Sequence, residues 1–209
     1  NPDILVVSNT NSLPGRHFDD NGHHLEGRPA TEEHFLYTMY GDYEFVNLLN
    51  LEMVAGRYFS HDIPTDTTSA VVINETAVKE LGLAEPIGKR FHKEFDEAKK
   101  GEFITIIGVL KDFNINSLHH GIYPVVIRPL SGWKGFFASI KIRPENMKET
   151  LGFIEKTWKN FSSSQPFEYS FLDTDFDNLY KADQRTGKIF SVFFYLAIFI
   201  SCLGLFGLV

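Results

Sequence analysis

Three stretches of this 209-residue chain carry side chains that could do chemistry. The first is Gly82-Leu83-Ala84-Glu85-Pro86-Ile87-Gly88-Lys89-Arg90, which superficially resembles a phosphate-binding loop. That loop needs four residues between its glycines and a Ser or Thr after its lysine to hold magnesium. Here five residues intervene, Pro86 has no N–H, and Arg90 stands in the hydroxyl position. The spacing reads better as a helix C-cap followed by a turn into a strand. The second stretch is the histidine pairs, His23-His24 and His119-His120, with His17 and Asp19 near the first. Adjacent side chains diverge in a helix or a strand, so a pair alone chelates poorly. One flexible loop could gather three ligands, but solvated loop histidines are the plainer expectation. The third is the alternating run Asp173, Asp175, Asp177. It lacks the glycine and late glutamate of a calcium loop and reads as carboxylates capping the following helix.

No Gly-x-Ser-x-Gly elbow and no His-Glu-x-x-His is present. The sequence therefore predicts no catalytic residue, no cofactor and no metal site, and no enzyme. The single cysteine, Cys202, excludes a disulfide framework and a cysteine zinc site. A net charge of −7 argues against nucleic acid, which needs a basic stripe.

The elements that would carry these residues are mixed. Ile4 to Ser8 is a short β-branched run, and Asn9 to Arg28 reads as a long polar surface loop. His34 to Tyr40 suggests a strand. Asp42 to Asn50 suggests a helix capped by Asp42, with Phe45, Leu48 and Leu49 on one face. Ala55-Gly56-Arg57 ends that unit. Ala70 to Ile73 is a strand, and Asn74 caps a helix over Glu75 to Leu81 that stops at Gly82. Phe103 to Leu110 is the strongest strand. Tyr123 to Arg128 is another, biased to an edge or a strand start by Pro124, and Phe136 to Ile142 a third.

Pro144 opens a helix whose Met147, Leu151, Ile154, Trp158 and Phe161 form one apolar stripe, expected to pack on a sheet. Phe167 to Leu172 is predicted to return as a strand, giving a βαβ or split βαβ unit over 136–172. From Asp173 a helical pattern runs on, with Phe176, Leu179 and Tyr180 on its apolar face.

The last 21 residues, Ile189 to Val209, carry no charge, and 14 of them are Ile, Leu, Val or Phe. As a helix they would be roughly 31 Å long, about the thickness of a bilayer's hydrocarbon core. Within them Ala197, Ser201 and Gly204 could allow close helix–helix approach in lipid. The chain starts without Met and stops inside this run, so a piece of a longer membrane protein is expected. Lys181, Arg185 and Lys188 precede the run and leave its orientation open.

Several segments together resemble the MacB-like periplasmic core domain. They are Gly56-Arg57-Tyr58-Phe59-Ser60, Val71-Val72-Ile73-Asn74-Glu75-Thr76-Ala77, Glu85-Pro86-Ile87-Gly88-Lys89-Arg90-Phe91 and Ile106-Ile107-Gly108-Val109-Leu110-Lys111-Asp112-Phe113-Asn114. Tyr169 to Asp173 also fits, leading to Gly204-Leu205-Phe206-Gly207-Leu208-Val209, which is similar to the start of FtsX-type permease helices. The resemblance implies an α+β, two-lobed extracytoplasmic domain that leads into a transmembrane helix. A discontinuous βαβ-containing, porter-like lobe would be formed by 1–40 and 132–172. A mixed, sabre-like lobe would be inserted at 41–131, a stalk helix would span 173–188, and the membrane helix would start at 189–209.

Asn74, Gly88 and Gly108 would then be structural, a cap and two tight turns. The implied protein is an ABC transporter permease subunit of the inner membrane, with 1–188 in the periplasm. It would pair with a second permease copy and a cytoplasmic ABC ATPase, and in some members with a periplasmic adaptor or lipoprotein carrier. The domain would couple ATP hydrolysis to export of a drug, peptide or lipoprotein by transmitting movement. The alternative is a ligand-sensing ectodomain of a membrane-anchored signalling protein, which also joins a mixed domain to an exit helix.

Overall fold

A computed structural model describes residues 1–14, 19–29, 31–92, 102–115, 121–130, 137–162, 164–175, 190–191 and 193–201. Asn1–Phe167 form one unit and Glu168–Val209 a second. The first is built on a mixed sheet of β1 (Ile4–Thr10), β2 (Asp19–His23), β3 (His34–Gly41), β4 (Met53–Gly56), β5 (Ala70–Asn74), β6 (Arg90–His92), β7 (Phe103–Leu110), β8 (Val125–Pro129) and β9 (Phe137–Ile142). The helices are α1 (Phe45–Leu49), α2 (Asp66–Ser69), α3 (Glu75–Glu80) and α4 (Met147–Phe161). Strands run in the order β4-β7-β5-β8-β3-β1-β9, with β2 also on β3 and β6 also on β7.

Composition explains the centre of this sheet. β5 is Ala-Val-Val-Ile-Asn and every residue of it is buried. It lies parallel to β7 and antiparallel to β8, so both of its edges are hydrogen-bonded. A strand covered on both faces reads as a continuous apolar run, and this one separates two cores. On one face Val71 and Ile73 join Leu25, Leu36, Ala77, Leu81, Phe91, Ile104, Ile106 and Val126 beneath α3. On the other, Val72 joins Met39, Phe45, Phe59, Leu110, Ile115, Val125 and Ile127 beneath α1. The alternation of β5 therefore divides the domain into two apolar layers.

Several expectations hold closely. β7 occupies the predicted residues, and the Asn74 side chain accepts the Ala77 N–H to start α3. Others are corrected. The expected loop from Asn9 to Arg28 contains β2, which pairs with β3 over five residues from Asp19–Thr38 to His23–His34. Its Asp-Asp-Asn-Gly-His sequence has little strand propensity, so pairing with β3 imposes the conformation. For β8 the strand-start expectation holds and the edge one does not, since it begins at Val125 and sits between β5 and β3. Pro124 precedes the strand, so its missing N–H removes no ladder bond, while its carbonyl accepts from Tyr37 N at 2.9 Å.

The α4 stripe does not bury as expected. Trp158 is 38% and Phe161 89% exposed, and Thr150 is the buried residue of the helix. Phe167 to Leu172 is not a strand: 166–171 are irregular and 172–175 form one helical turn. With no strand beyond β9 among the described residues, α4 lacks the second half of a platform. The chain's start meets the end of β9, where Arg143 N donates to Asp3 O at 2.9 Å and Asn146 Nδ2 lies 3.3 Å from Asp3 Oδ2.

In the second unit the chain is helical at 190–191 and 193–201, and its large apolar side chains there are exposed, Phe190 at 71% and Phe199 at 60%. Among the described residues no helix is long and apolar enough to cross a membrane.

Candidate functional site

The residues first suspected of chemistry are engaged elsewhere. Gly82 and Gly88 both have positive φ, 60° and 82°, as a helix stop and a tight turn require. The Gly88 N–H donates to Ile106 O at 2.8 Å, and Lys89 O accepts from Ile106 N at 2.8 Å. A loop zipped onto β7 in this way has those groups spent and offers no phosphate cradle. Arg90 pairs with Glu26 and lies 4.6 Å from the Phe103 ring centroid.

His23 and His24 are buried, contrary to the solvated reading. β2 carries His23 against Phe91, ring centroids 5.3 Å apart, with Nε2 3.3 Å from Thr38 Oγ1. Burial first, then the charges of Arg128 and His24, push the His23 pKa down to about 4. His17, His119 and His120 lie outside the described residues. Among the described residues no three His, Cys, Asp or Glu side chains are placed to hold a metal. Of the acidic run, Asp175 accepts from Ser170 Oγ at 2.9 Å, and Asp177 lies outside the described residues. Ala197 and Ser201 fall on the exposed helical stretch 193–201. Gly204 and the stalk residues Phe176, Leu179 and Tyr180 lie outside the described residues.

Three polar clusters hold the fold instead. The first lies where β5 becomes α3. Asn74 Oδ1 accepts from Ala77 N at 3.0 Å and Val125 N at 2.8 Å. Its Nδ2 lies 2.9 Å from both Asp112 Oδ1 and Tyr123 O. Asp112 also accepts from Thr76 N and Thr76 Oγ1, each at 2.8 Å. Asn74 therefore uses both ends of its amide, as a buried Asn must.

The second cluster fixes the loop after β4. Arg57 Nη1 and Nη2 meet Asp66 Oδ2 and Oδ1 at 2.5 and 2.9 Å, and Ser60 N donates to Oδ2 at 3.0 Å. The Asp66 side chain is 3% exposed, and Arg57 holds its carboxyl below the ordinary value. Gly108, expected in a tight turn, lies inside β7 beside an irregularity in the β5–β7 register. A Cβ there would come within 2.3 Å of Arg57 O, so close approach of the backbone requires glycine.

The third cluster is the seam between β1 and β3. Their register comprises one pair, Thr10 opposite Gly41. Asp42, predicted as an N-cap, sits before α1, whose cap position is Glu44, and reaches back to β1. Its carboxylate accepts from Ser8 Oγ and Asn9 N, each at 2.7 Å, and from Glu44 N at 3.1 Å. Thr10 Oγ1 lies 2.7 Å from Tyr40 O, and Tyr40 N donates to Asn11 Oδ1 at 2.8 Å. Ser8 and Thr10 are fully buried. Beside the seam is a depression of about 190 Å³, including the solvent at its mouth, lined by Gly41, Asp42, Tyr43, Phe59 and Thr67. Its enclosed space is about 10 Å³, room for a single water, far too small for a substrate.

Sequence reasoning missed the Arg57–Asp66 pair and the reach of Asp42, since neither follows a local period. Arg57 and Asp112 did fall inside segments that carried the family resemblance.

The family description "MacB-like periplasmic core domain" matches residues 12–152. No curated protein matches the sequence. Among solved structures, the periplasmic region of MacB from Actinobacillus actinomycetemcomitans is similar at 15% identity and TM-score 0.59, over 83% of this chain and 75% of that one. A domain of a putative permease protein from Porphyromonas gingivalis is similar at 21% identity and TM-score 0.55, over 82% and 81%. The extracellular domain of the noncanonic ABC-type transporter YknZ from Gram-positive bacteria is similar at 14% identity and TM-score 0.52, over 78% and 79%. At these identities the likeness is one of fold.

Proposed function

We propose that this chain, which belongs to the MacB-like periplasmic core domain family, transmits movement as the extracytoplasmic part of an ABC-type permease. The match over residues 12–152 carries the reading, since it spans both apolar layers and the first two polar clusters. The shared fold with the MacB periplasmic region supports it. So do the exposed apolar helical residues at 190–191 and 193–201, a surface suited to lipid.

On this reading the domain has a porter-like lobe from 1–40 and 132–172 and an inserted sabre-like lobe at 41–131. A stalk at 173–188 joins them to a membrane helix starting at 189–209, with 1–188 in the periplasm and the protein in the inner membrane. Ala197, Ser201 and Gly204 line a helix contact in lipid. A cytoplasmic ATPase supplies the energy, and two permease copies act together, with an adaptor or lipoprotein carrier where the cargo requires one. Hydrolysis in the cytoplasm thereby drives export of a drug, peptide or lipoprotein, and the domain itself performs no catalysis.

The test is Asp183→Pro in the full-length permease, placed mid-stalk where proline kinks a helix at a cost of about 3 kcal/mol. ATP hydrolysis by the complex should persist while export falls, with the ectodomain still folded by circular dichroism. Export at the parent rate counts against mechanical coupling. A full-length chain that carries a signalling domain in place of further membrane helices favours the sensor reading.

A further inference from the structure

β3 shares five registered pairs with β8, and β1 shares six with β9, from Ile4–Ile142 to Thr10–Phe137. Between β1 and β3 there is the single pair Thr10–Gly41. The flanking backbone bonds are Asn11 N to Tyr40 O and Asp42 N to Asn9 O, each 3.2 Å. The shorter bonds across the seam use side chains: Ser8 Oγ and Asn9 N on the Asp42 carboxylate, Thr10 Oγ1 on Tyr40 O, and Tyr40 N on Asn11 Oδ1. A multi-residue ladder must break many bonds to move. A seam of one pair and rotatable side chains can turn about that pair while both neighbouring ladders stay intact. Hinges elsewhere have this character, a few element-terminal residues absorbing the change.

The pivot is also packed from beneath. A Cβ at Gly41 would lie 2.8 Å from Phe45 Cγ, so the strand rests directly on the first residue of α1. Gly41 O accepts from Leu130 N at 3.1 Å, tying the same point to the end of β8. Asp42 thus belongs to the rigid side of the seam and holds β1 only through its carboxylate and one backbone bond.

Resting on the mechanical role proposed above, we infer that this seam is a hinge between the β1–β9 pair and the rest of the sheet. It pivots at Thr10–Gly41, and the Asp42 carboxylate latches it to Ser8 and Asn9. Movement entering through β1 reaches the apolar layers once the latch releases.

The experiment uses the full-length permease with its ATPase and native cysteines replaced. Spin labels at exposed Ala138 on β9 and Glu80 on α3 report the distance across the hinge by pulsed electron paramagnetic resonance. The hinge predicts that Asp42→Asn and Ser8→Ala each broaden the nucleotide-free distribution at least twofold, towards the distances that nucleotide drives in the parent. Ser8→Ala removes one hydroxyl and guards against a folding failure of the Asp42 variant. Unchanged width and mean in both folded variants overturn the hinge. A second label pair within 173–188 of two copies reports the mechanical role separately. A stalk that ignores nucleotide beside variants that still widen the seam removes that role and keeps the hinge. A responding stalk above an unresponsive seam removes the hinge alone.

Discussion

Asn74 and Asp112, 38 residues apart in sequence, meet at 2.9 Å where β5 turns into α3 and just beyond the end of β7. One amide thereby caps a helix, receives the first N–H of β8 and donates to a carboxylate. Asn74→Ala removes a cap worth about 1 kcal/mol and leaves the buried Val125 N–H without its acceptor, at about 1–3 kcal/mol more. Urea denaturation should show a loss of about 2–4 kcal/mol. Asn74→Asp, though an equally good cap, should also destabilise, because it faces Asp112 with a second acceptor.

Asp66 titrates below its ordinary value of 3.8, chiefly through its hydrogen bonds from Arg57. The fold therefore favours the ionised form. This contribution is fully present above about pH 4 and is lost as pH falls through the depressed native value. Asp66→Asn should lower stability at pH 7 by about 1–3 kcal/mol. It should also flatten the acid loss below about pH 4, measured by denaturation at each pH. A variant with the parent's acid slope would show that the pair does not carry it.

His23 works in a different window. Its native pKa of about 4 lies below the unfolded value of 6.5. The unfolded chain therefore takes up the proton first, and stability falls from pH 6.5 towards pH 4 by up to about 3 kcal/mol. His23→Gln should shrink the difference in stability between pH 7 and pH 4 by that amount. An unaltered difference would mean that His23 is not held neutral.

Gly108→Ala tests the close approach of two chains. The added methyl meets Arg57 O at 2.3 Å and Met53 Cε at 2.6 Å, so β4 must peel from β7 or shift. A cost of about 2 kcal/mol or more is expected, with hydrogen exchange accelerated first in Met53–Gly56.

What could be read from the chain was local. The Ile and Val of β7, and Asn74 ahead of an apolar helical period, announce themselves because neighbouring residues decide them. β2 was hidden because Asp19–His23 is a strand only by virtue of β3 lying beside it. The family resemblance implies a turn at Gly108, whereas here the glycine serves proximity to Arg57. Asp42 has the composition and place of an N-cap, and only the fold brings Ser8 within its reach. Arg57 and Asp66 face each other across eight intervening residues with no periodic signature. The α4 stripe has the right spacing, but its burial depends on a neighbouring surface that spacing does not encode.

Asp3 and Asn146 stand 143 positions apart yet within hydrogen-bonding reach. Asp3 is thus tied to Arg143 and Asn146 within the first unit. Chain entering at Asp3 and chain leaving at Asn146 therefore lie side by side when this sheet forms. Such a module can be spliced into a loop of another architecture with little disturbance to its host.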